Sequence, residues 1–203
     1  MSSSVLQEAP RRRLTPRQAA TVDRLAAAVV DELATAGYDD LTVRTVARRA
    51  GVAPATAYTY FTSKAHLVAE VFWRRLRALP ATRPDPGRPA ADRVAAVFAD
   101  LAAMVAGAPR LSAACSPALL SDDPDVRLLR DRIGAEMHRR LRSAVAGDEG
   151  GSGDGPADLD ELTLALDLML AGALLRAGMG HVAYDDLAAS LGSLARLVLG
   201  DRP

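Results

Sequence analysis

The stretch "GVAPATAYTYFTSK", Gly51–Lys64, decides how the rest of the chain is read. It sets Ala55, Thr56 and Ala57 beside Tyr58 and Tyr60 and ends on Lys64, the one lysine of an arginine-rich sequence. Pro54 has a backbone angle suited to a first helical residue, so a helix starts there and ends near Phe61. Just upstream, Thr42 caps a short helix from Val43 to Ala50, and Gly51-Val52-Ala53 forms a three-residue turn. Two short helices joined by a glycine-containing turn make a helix-turn-helix. In that arrangement Val52, Ala57 and Phe61 pack inward on Val46 and Ala47. Pro54, Ala55, Thr56, Tyr58, Thr59 and Tyr60 stay near the outside. Small leading side chains let a helix backbone approach base edges in the major groove, and Ala or a Thr methyl can touch a thymine methyl. Tyrosine hydroxyls reach phosphate oxygens. Lys64 adds charge beside amides that already favour an anion.

Working outward, the pattern is helical throughout. Thr15-Pro16-Arg17-Gln18 reads as a capping box with proline at the first helical position. Val22, Leu25, Ala26, Val29 and Leu33 then recur at helical spacing until Ala36-Gly37. Ser63 caps a fourth helix reaching Leu79, and the prolines of "PATRPDPGRPA", Pro80–Ala90, break the chain there. Helical segments follow from Ala91 to about Gly107, Arg110 to Leu120, and Asp123-Pro124 to about Ala146. After the glycine-rich loop Gly147–Pro156, Asp158 and Glu161 suggest a capping box for a helix to about Gly178. A last helix spans roughly Asp185 to Leu199. Nothing alternates with period two for long, and no internal repeat occurs. The fold class is therefore all-α, about nine helices. Three segments are expected: a disordered basic arm (1–13), a three-helix DNA-binding domain (14–62), and a helical ligand-binding and dimerisation domain (63–203).

The chain has 203 residues, 49% of them apolar and only 4% aromatic, so the expected core is aliphatic and alanine-rich. A single cysteine, Cys115, rules out an internal disulfide framework and suits a reducing cytoplasm. The opening "MSSSVLQEAPRRR" has no apolar signal segment. The apolar run Leu168–Leu175 is far short of the roughly 20 residues that span a bilayer. A soluble, cytoplasmic protein is expected. Net charge is zero, yet 14 basic and 8 acidic residues lie at or before residue 90, against 11 and 17 after it. A basic front on an acidic body suits a chain that meets phosphates with one part only.

"LTVRTVARRAGVAPATAYTYFTSKAHLVAEVF", Leu41–Phe72, resembles the DNA-binding signature of the TetR family of bacterial transcriptional regulators. The likeness rests on Gly37-Tyr38, Thr42, Val46-Ala47, Ala50-Gly51-Val52, Tyr58, Tyr60-Phe61, Ser63-Lys64 and Leu67. It implies a homodimeric repressor reading a near-palindromic operator with the helix Pro54–Tyr60. DNA contacts implied by the resemblance fall on Thr42, Val43, Arg44, Ala53, Pro54, Ala55, Thr56, Tyr58, Thr59, Tyr60 and Lys64. Three positions depart from the pattern: Ala53, Ala55 and Ala57 stand where the family often has Ser, Gly and Leu. Arg44, Arg48 and the Arg11–Arg13 arm could carry the affinity shifted by those changes.

The acidic body offers material for a sensor and a dimer. The helix from Leu159 carries two apolar stripes, Leu162/Leu166/Met169/Ala173 and Leu164/Leu168/Ala171/Leu175. A helix apolar on both sides buries both. The second stripe, with Leu187, Leu191, Leu194 and Val198 of the last helix, is a candidate dimer face. The other reading places that stripe under a helix of the same chain. Phe98, Met104, Cys115, Met137, Leu141 and Met169 are candidates to line an apolar cavity for a lipophilic effector, ordinary core packing being the other reading. No cofactor or metal is implied. His66, His138 and His181 share no ligand spacing, and no hydrolase, zinc-protease or phosphate-loop motif is present, so an enzyme is not expected. "GGSGD", Gly150–Asp154, is a single copy of a calcium-repeat-like string and reads as a loop. The alternatives are a protein of this fold that no longer binds DNA, an activator, and a ligand-insensitive variant.

Overall fold

The computed structural model describes residues 15–81, 85, 87–147 and 156–200. The basic arm and most of the glycine-rich loop lie outside them. Nine α-helices and one 3₁₀ turn occur among the described residues, with no strand: α1 (Pro16–Ala36), α2 (Val43–Arg49), α3 (Pro54–Tyr58), α4 (Lys64–Ala78), α5 (Ala90–Ala106), α6 (Pro109–Leu119), α7 (Pro124–Ala146), α8 (Pro156–Gly178), a 3₁₀ turn (Tyr184–Asp186) and α9 (Leu187–Leu199).

The helix starts follow the sequence closely. The Thr15 hydroxyl accepts from the Gln18 amide (3.3 Å), and the Gln18 side chain accepts from the Thr15 amide (2.9 Å). Gly37, at φ +75°, ends α1. Ser63 caps α4 through the His66 amide at 3.0 Å. Two boundaries differ from expectation. Asp158 does not cap α8, because Pro156 starts the helix earlier and leaves Asp158 in its first turn. α3 stops at Tyr58, since the Thr59 hydroxyl donates to Thr56 O (2.7 Å) and both Tyr60 and Phe61 amides converge on Ala57 O. That tightened turn carries Phe61 into the core.

Two buried clusters share three helices, α4, α6 and α7. The first joins Leu25, Val29 and Leu33 of α1 to Val46, Ala47, Ala57 and Phe61, roofed by Leu111 and Ala118 of α6 and Leu129 of α7. The second packs α5 against Leu141 of α7, Leu166 and Leu170 of α8, and Leu191 of α9. α4 contributes Leu67 and Val68 to the first cluster and Phe72 and Leu76 to the second. α7 grips α4 at both ends. Asp123 accepts from the Ser63 hydroxyl at 2.5 Å, and Asp125 accepts from Thr62 at 3.0 Å. At the far end Arg140, almost fully buried, donates to Pro80 O (2.9 Å) and Leu79 O (3.2 Å) and pairs with Glu136 (2.7 Å). It satisfies carbonyls that a helix end leaves without intrahelical partners.

Three carboxyl groups in these ties are held below their ordinary pKa. The Arg49 guanidinium, 2.5 Å away, dominates at buried Glu32, outweighing desolvation. Burial raises the Asp123 pKa, but the Ser63 hydroxyl and the Asp125 amide together lower it further. Arg139, then Arg140, overcomes burial at Glu136. A depressed folded-state pKa stabilises the fold above the unfolded value and is lost as pH falls through the folded one. The melting temperature is therefore expected to hold from pH 8 to about 5.5 and to fall below about 4.5. Calorimetry should show a shallower acid limb in Glu32→Gln. An identical limb would dismiss the Glu32 contribution.

Candidate nucleic-acid interface

The turn between α2 and α3 is a Schellman closure. The Val52 amide donates to Ala47 O (2.9 Å) and the Gly51 amide to Arg48 O (3.2 Å). Gly51 sits at φ +63°, where a side chain would be strained. Val52 then tucks inward, and with Ala57 and Phe61 it fixes α3 on α1 and α2. Pro54, Ala55, Thr56, Tyr58 and Thr59 are left exposed, Tyr58 by 52%. Ala53 offers no capping side chain, so none covers the first-turn amides of α3. Such amides, with a small Ala55 beside them, suit close approach to an anionic backbone. Thr42, Arg44 and Arg48 are exposed along α2. The Thr42 hydroxyl accepts from the Thr45 amide (3.0 Å) as the cap of α2.

Three expected contact residues sit differently. Val43 is buried in the first cluster, because it opens α2 on the side facing α1, so its side chain points away from the exposed face. Tyr60 is half-buried against the same cluster. Lys64 is already engaged: its ammonium donates to Tyr38 O (2.9 Å) and Asp39 O (3.0 Å) and lies 4.5 Å from the Tyr38 ring centre. It pins the loop after α1 rather than reaching outward. Gly37-Tyr38 and Ser63-Lys64, separate parts of the sequence signature, are thus two sides of one contact. His66 closes the same corner, with Nδ1 3.1 Å from the Thr62 hydroxyl and its ring edge-on to Phe61.

In the body, a cavity of about 90 Å³ lies between α4, α6, α7 and α8. Phe72, Cys115, Ile133, Met137, Leu174 and Tyr184 line it. Of the expected lining residues, only Cys115 and Met137 do so. Phe98, Met104 and Leu141 are buried in the second cluster, and Met169 packs against that cluster. They fill space between helices instead of bordering a gap.

The apolar stripes of α8 separate cleanly. Leu166 is buried in the chain's own core and Leu162, Met169 and Ala173 pack against it. Leu164, Leu168, Ala171 and Leu175 are exposed, Leu168 by 66%. On α9 the expectation is half corrected. Leu187 and Leu191, both 1% exposed, belong to the subunit core, while Leu194 and Val198 face outward. The cause is the close seating of α9 on α5, where Gly192 lies against Ala95. Leu197, 80% exposed, extends the outer face and was not anticipated from spacing. No single helix among the described residues is long and apolar enough to cross a membrane. Nor does any group of three His, Cys, Asp or Glu among them suit a metal ion.

Comparison with known proteins agrees with this geometry. The family described as "Bacterial regulatory proteins, tetR family" matches residues 25–71, the end of α1 to most of α4. An uncharacterised HTH-type transcriptional regulator of Mycobacterium tuberculosis is 44% identical over 211 residues, covering 98% of this chain and 94% of that protein. A TetR transcriptional regulator from a Rhodococcus species superposes with TM-score 0.71 at 20% identity, covering 91% of this chain and 98% of that one. FadR of Bacillus subtilis, solved with stearoyl-CoA, superposes with TM-score 0.62 at 20% identity, covering 89% and 99%. At such identity these two likenesses speak to the fold alone. With α2 and α3 locked by the Schellman turn, an exposed α3 surface, and a relative at 44% identity over 98% of this chain, the chain belongs to the TetR family of helix-turn-helix transcriptional regulators.

Proposed function

We propose that the chain is a homodimeric repressor that leaves a near-palindromic operator when a small lipophilic molecule enters its body. The observation that carries this reading is the position of α4. Phe72 of that helix borders the cavity, while the start of the same helix, through Lys64, holds the loop that follows α1. A ligand filling the cavity would press α4 and α7 apart between Asp123 and Arg140, the two points at which α7 grips α4. Either a grip yields or α4 turns with its load. In a two-fold dimer, recognition helices must sit about 34–36 Å apart, so a tilt of α4 removes half-site register.

The outward faces of α8 and α9 support the dimer: Leu164, Leu168, Leu175, Leu194, Leu197 and Val198 form an apolar surface that a second copy would cover. The apolar lining supports a lipophilic effector. FadR with stearoyl-CoA is a case in which a protein of this fold takes an acyl ligand. DNA contacts are assigned to Thr42, Arg44, Ala53, Pro54, Ala55, Thr56, Tyr58 and Thr59.

The test is selection of bound sequences from a random DNA pool, followed by binding measured against salt. A near-palindrome is expected, with affinity falling steeply between 50 and 200 mM salt, about 10³-fold or more. Retention of no fragment at low salt would sink the repressor reading. An operator affinity unmoved by any stabilising ligand would sink the release mechanism.

A further inference from the structure

Resting on the reading that the cavity receives the effector, we propose that its occupant is an uncharged, compact lipophilic molecule with one hydrogen-bond acceptor, received by the Tyr184 hydroxyl beside Ser116. The cavity wall is apolar almost everywhere. Phe72, Ile133, Met137 and Leu174 contribute only hydrocarbon and thioether surface. Ser112, also on the wall, shares its hydroxyl proton between Val105 O (3.0 Å) and Ala108 O (3.1 Å) at the junction of α5 and α6. Cys115 is buried and its thiol is pushed up to about 12 by desolvation, so it is neutral.

Tyr184 is the exception. Its hydroxyl is buried and has no hydrogen-bond partner among the described residues. Burial, chiefly, and then the nearby Cys115, raise its pKa, so it stays a neutral donor. A buried hydroxyl without a partner is destabilising, and phenylalanine would fill the same space without that defect. The hydroxyl is therefore placed for something that arrives.

Gly178 shows where. A methyl group there would lie 2.9 Å from Ser116 Oγ and 3.8 Å from the Tyr184 hydroxyl. That position is crowded by the Ser116 side chain, so the two hydroxyls lie near one another, and both residues line the cavity. A carbonyl, ether or hydroxyl oxygen at this end of the cavity would meet one fixed donor and one rotatable one, with its hydrocarbon toward Phe72 and Met137. Among the described residues, no Asp, Glu, Lys, Arg or His borders the cavity. A carboxylate or an ammonium would be desolvated there without a counter-charge, which excludes acids and amines as the buried head. At about 90 Å³ the space suits a single ring or a short chain before the walls move.

A matched series on the full-length protein tests this: methylcyclohexane, cyclohexanone, cyclohexanol, cyclohexanecarboxylate and cyclohexylamine, followed by calorimetry and thermal shift. Cyclohexanone is expected to bind about tenfold more tightly than the hydrocarbon, with the acid and the amine weakest. Tyr184→Phe should erase the tenfold preference and leave hydrocarbon affinity unchanged. Without ligand, the same substitution should raise the melting temperature by about 2–4 °C. A lower melting temperature would mean that the hydroxyl already has a partner, and would overturn the assignment. Equal affinity for ketone and hydrocarbon, or preference for the acid or amine, overturns the proposal while leaving a ligand cavity. If no member binds, the cavity reading falls and takes this proposal with it.

Discussion

Ala55→Glu is expected to abolish operator binding, by about 1,000-fold or more, without loosening the fold. Ala55 is exposed in the first turn of α3, where Ala53 supplies no cap. A glutamate there holds the helix away from the groove floor and points a negative charge at the phosphates. Loss of one good base contact costs about 2 kcal/mol per subunit. A dimer suffers it twice, giving about 4 kcal/mol, or roughly three powers of ten. The subunit loses nothing, since an acidic residue in a helix's first turn is favourable by about 0.3–1 kcal/mol. Fluorescence anisotropy on the selected operator reads the first effect and calorimetry the second. Ala55→Gly should bind nearly as well as the native protein. An Ala55→Glu protein within tenfold of native affinity would mean that α3 does not enter the groove.

Much of this region was legible because its determinants are local. Thr15 and Gln18 cap one another across three residues, and Gly51 with Val52 closes a turn on Ala47 and Arg48. Such contacts lie within the reach of a repeating pattern. Lys64 was not legible: its partners are the carbonyls of residues 38 and 39, and no periodicity links position 64 to them. Val43 was misplaced because helix membership does not fix rotation until α1 packs on α2. In the body, composition conceals function. An aliphatic cavity wall and an aliphatic core use the same residues, so Phe98 and Leu141 looked as suitable as Cys115 and Met137. Tyr184 and Ser116 meet at Gly178 only once α6 and α8 are docked. No spacing in the sequence singles out Arg93 or Arg140. Both are buried, donating to the carbonyl ends of α7 and α4 respectively.

Leu168→Glu is expected to yield a folded monomer that has lost operator binding. The side chain is 66% exposed in the single subunit, so its replacement removes little internal packing. In the proposed dimer it lies between Leu164 and Leu175 on the α8 face that a partner would cover. Burying an unpaired carboxylate costs several kcal/mol, and symmetry imposes that cost twice. Dimer affinity should weaken by at least about 1,000-fold, and sedimentation at micromolar concentration should find monomer. Helical content and the Ala55 surface stay intact. The operator nevertheless escapes, because one half-site alone forfeits the roughly 10²–10⁴-fold gain of joined binding. Leu191→Ala provides the contrast. Leu191 is 1% exposed inside its own subunit, so its truncation should lower stability by about 2–5 kcal/mol without a charge at the interface. The two substitutions separate the outward face of α8 from a face already covered by α5. If Leu168→Glu remains a dimer, pairing runs through some other surface. If it is monomeric yet binds the operator at native affinity, α3 reads DNA without two-fold help.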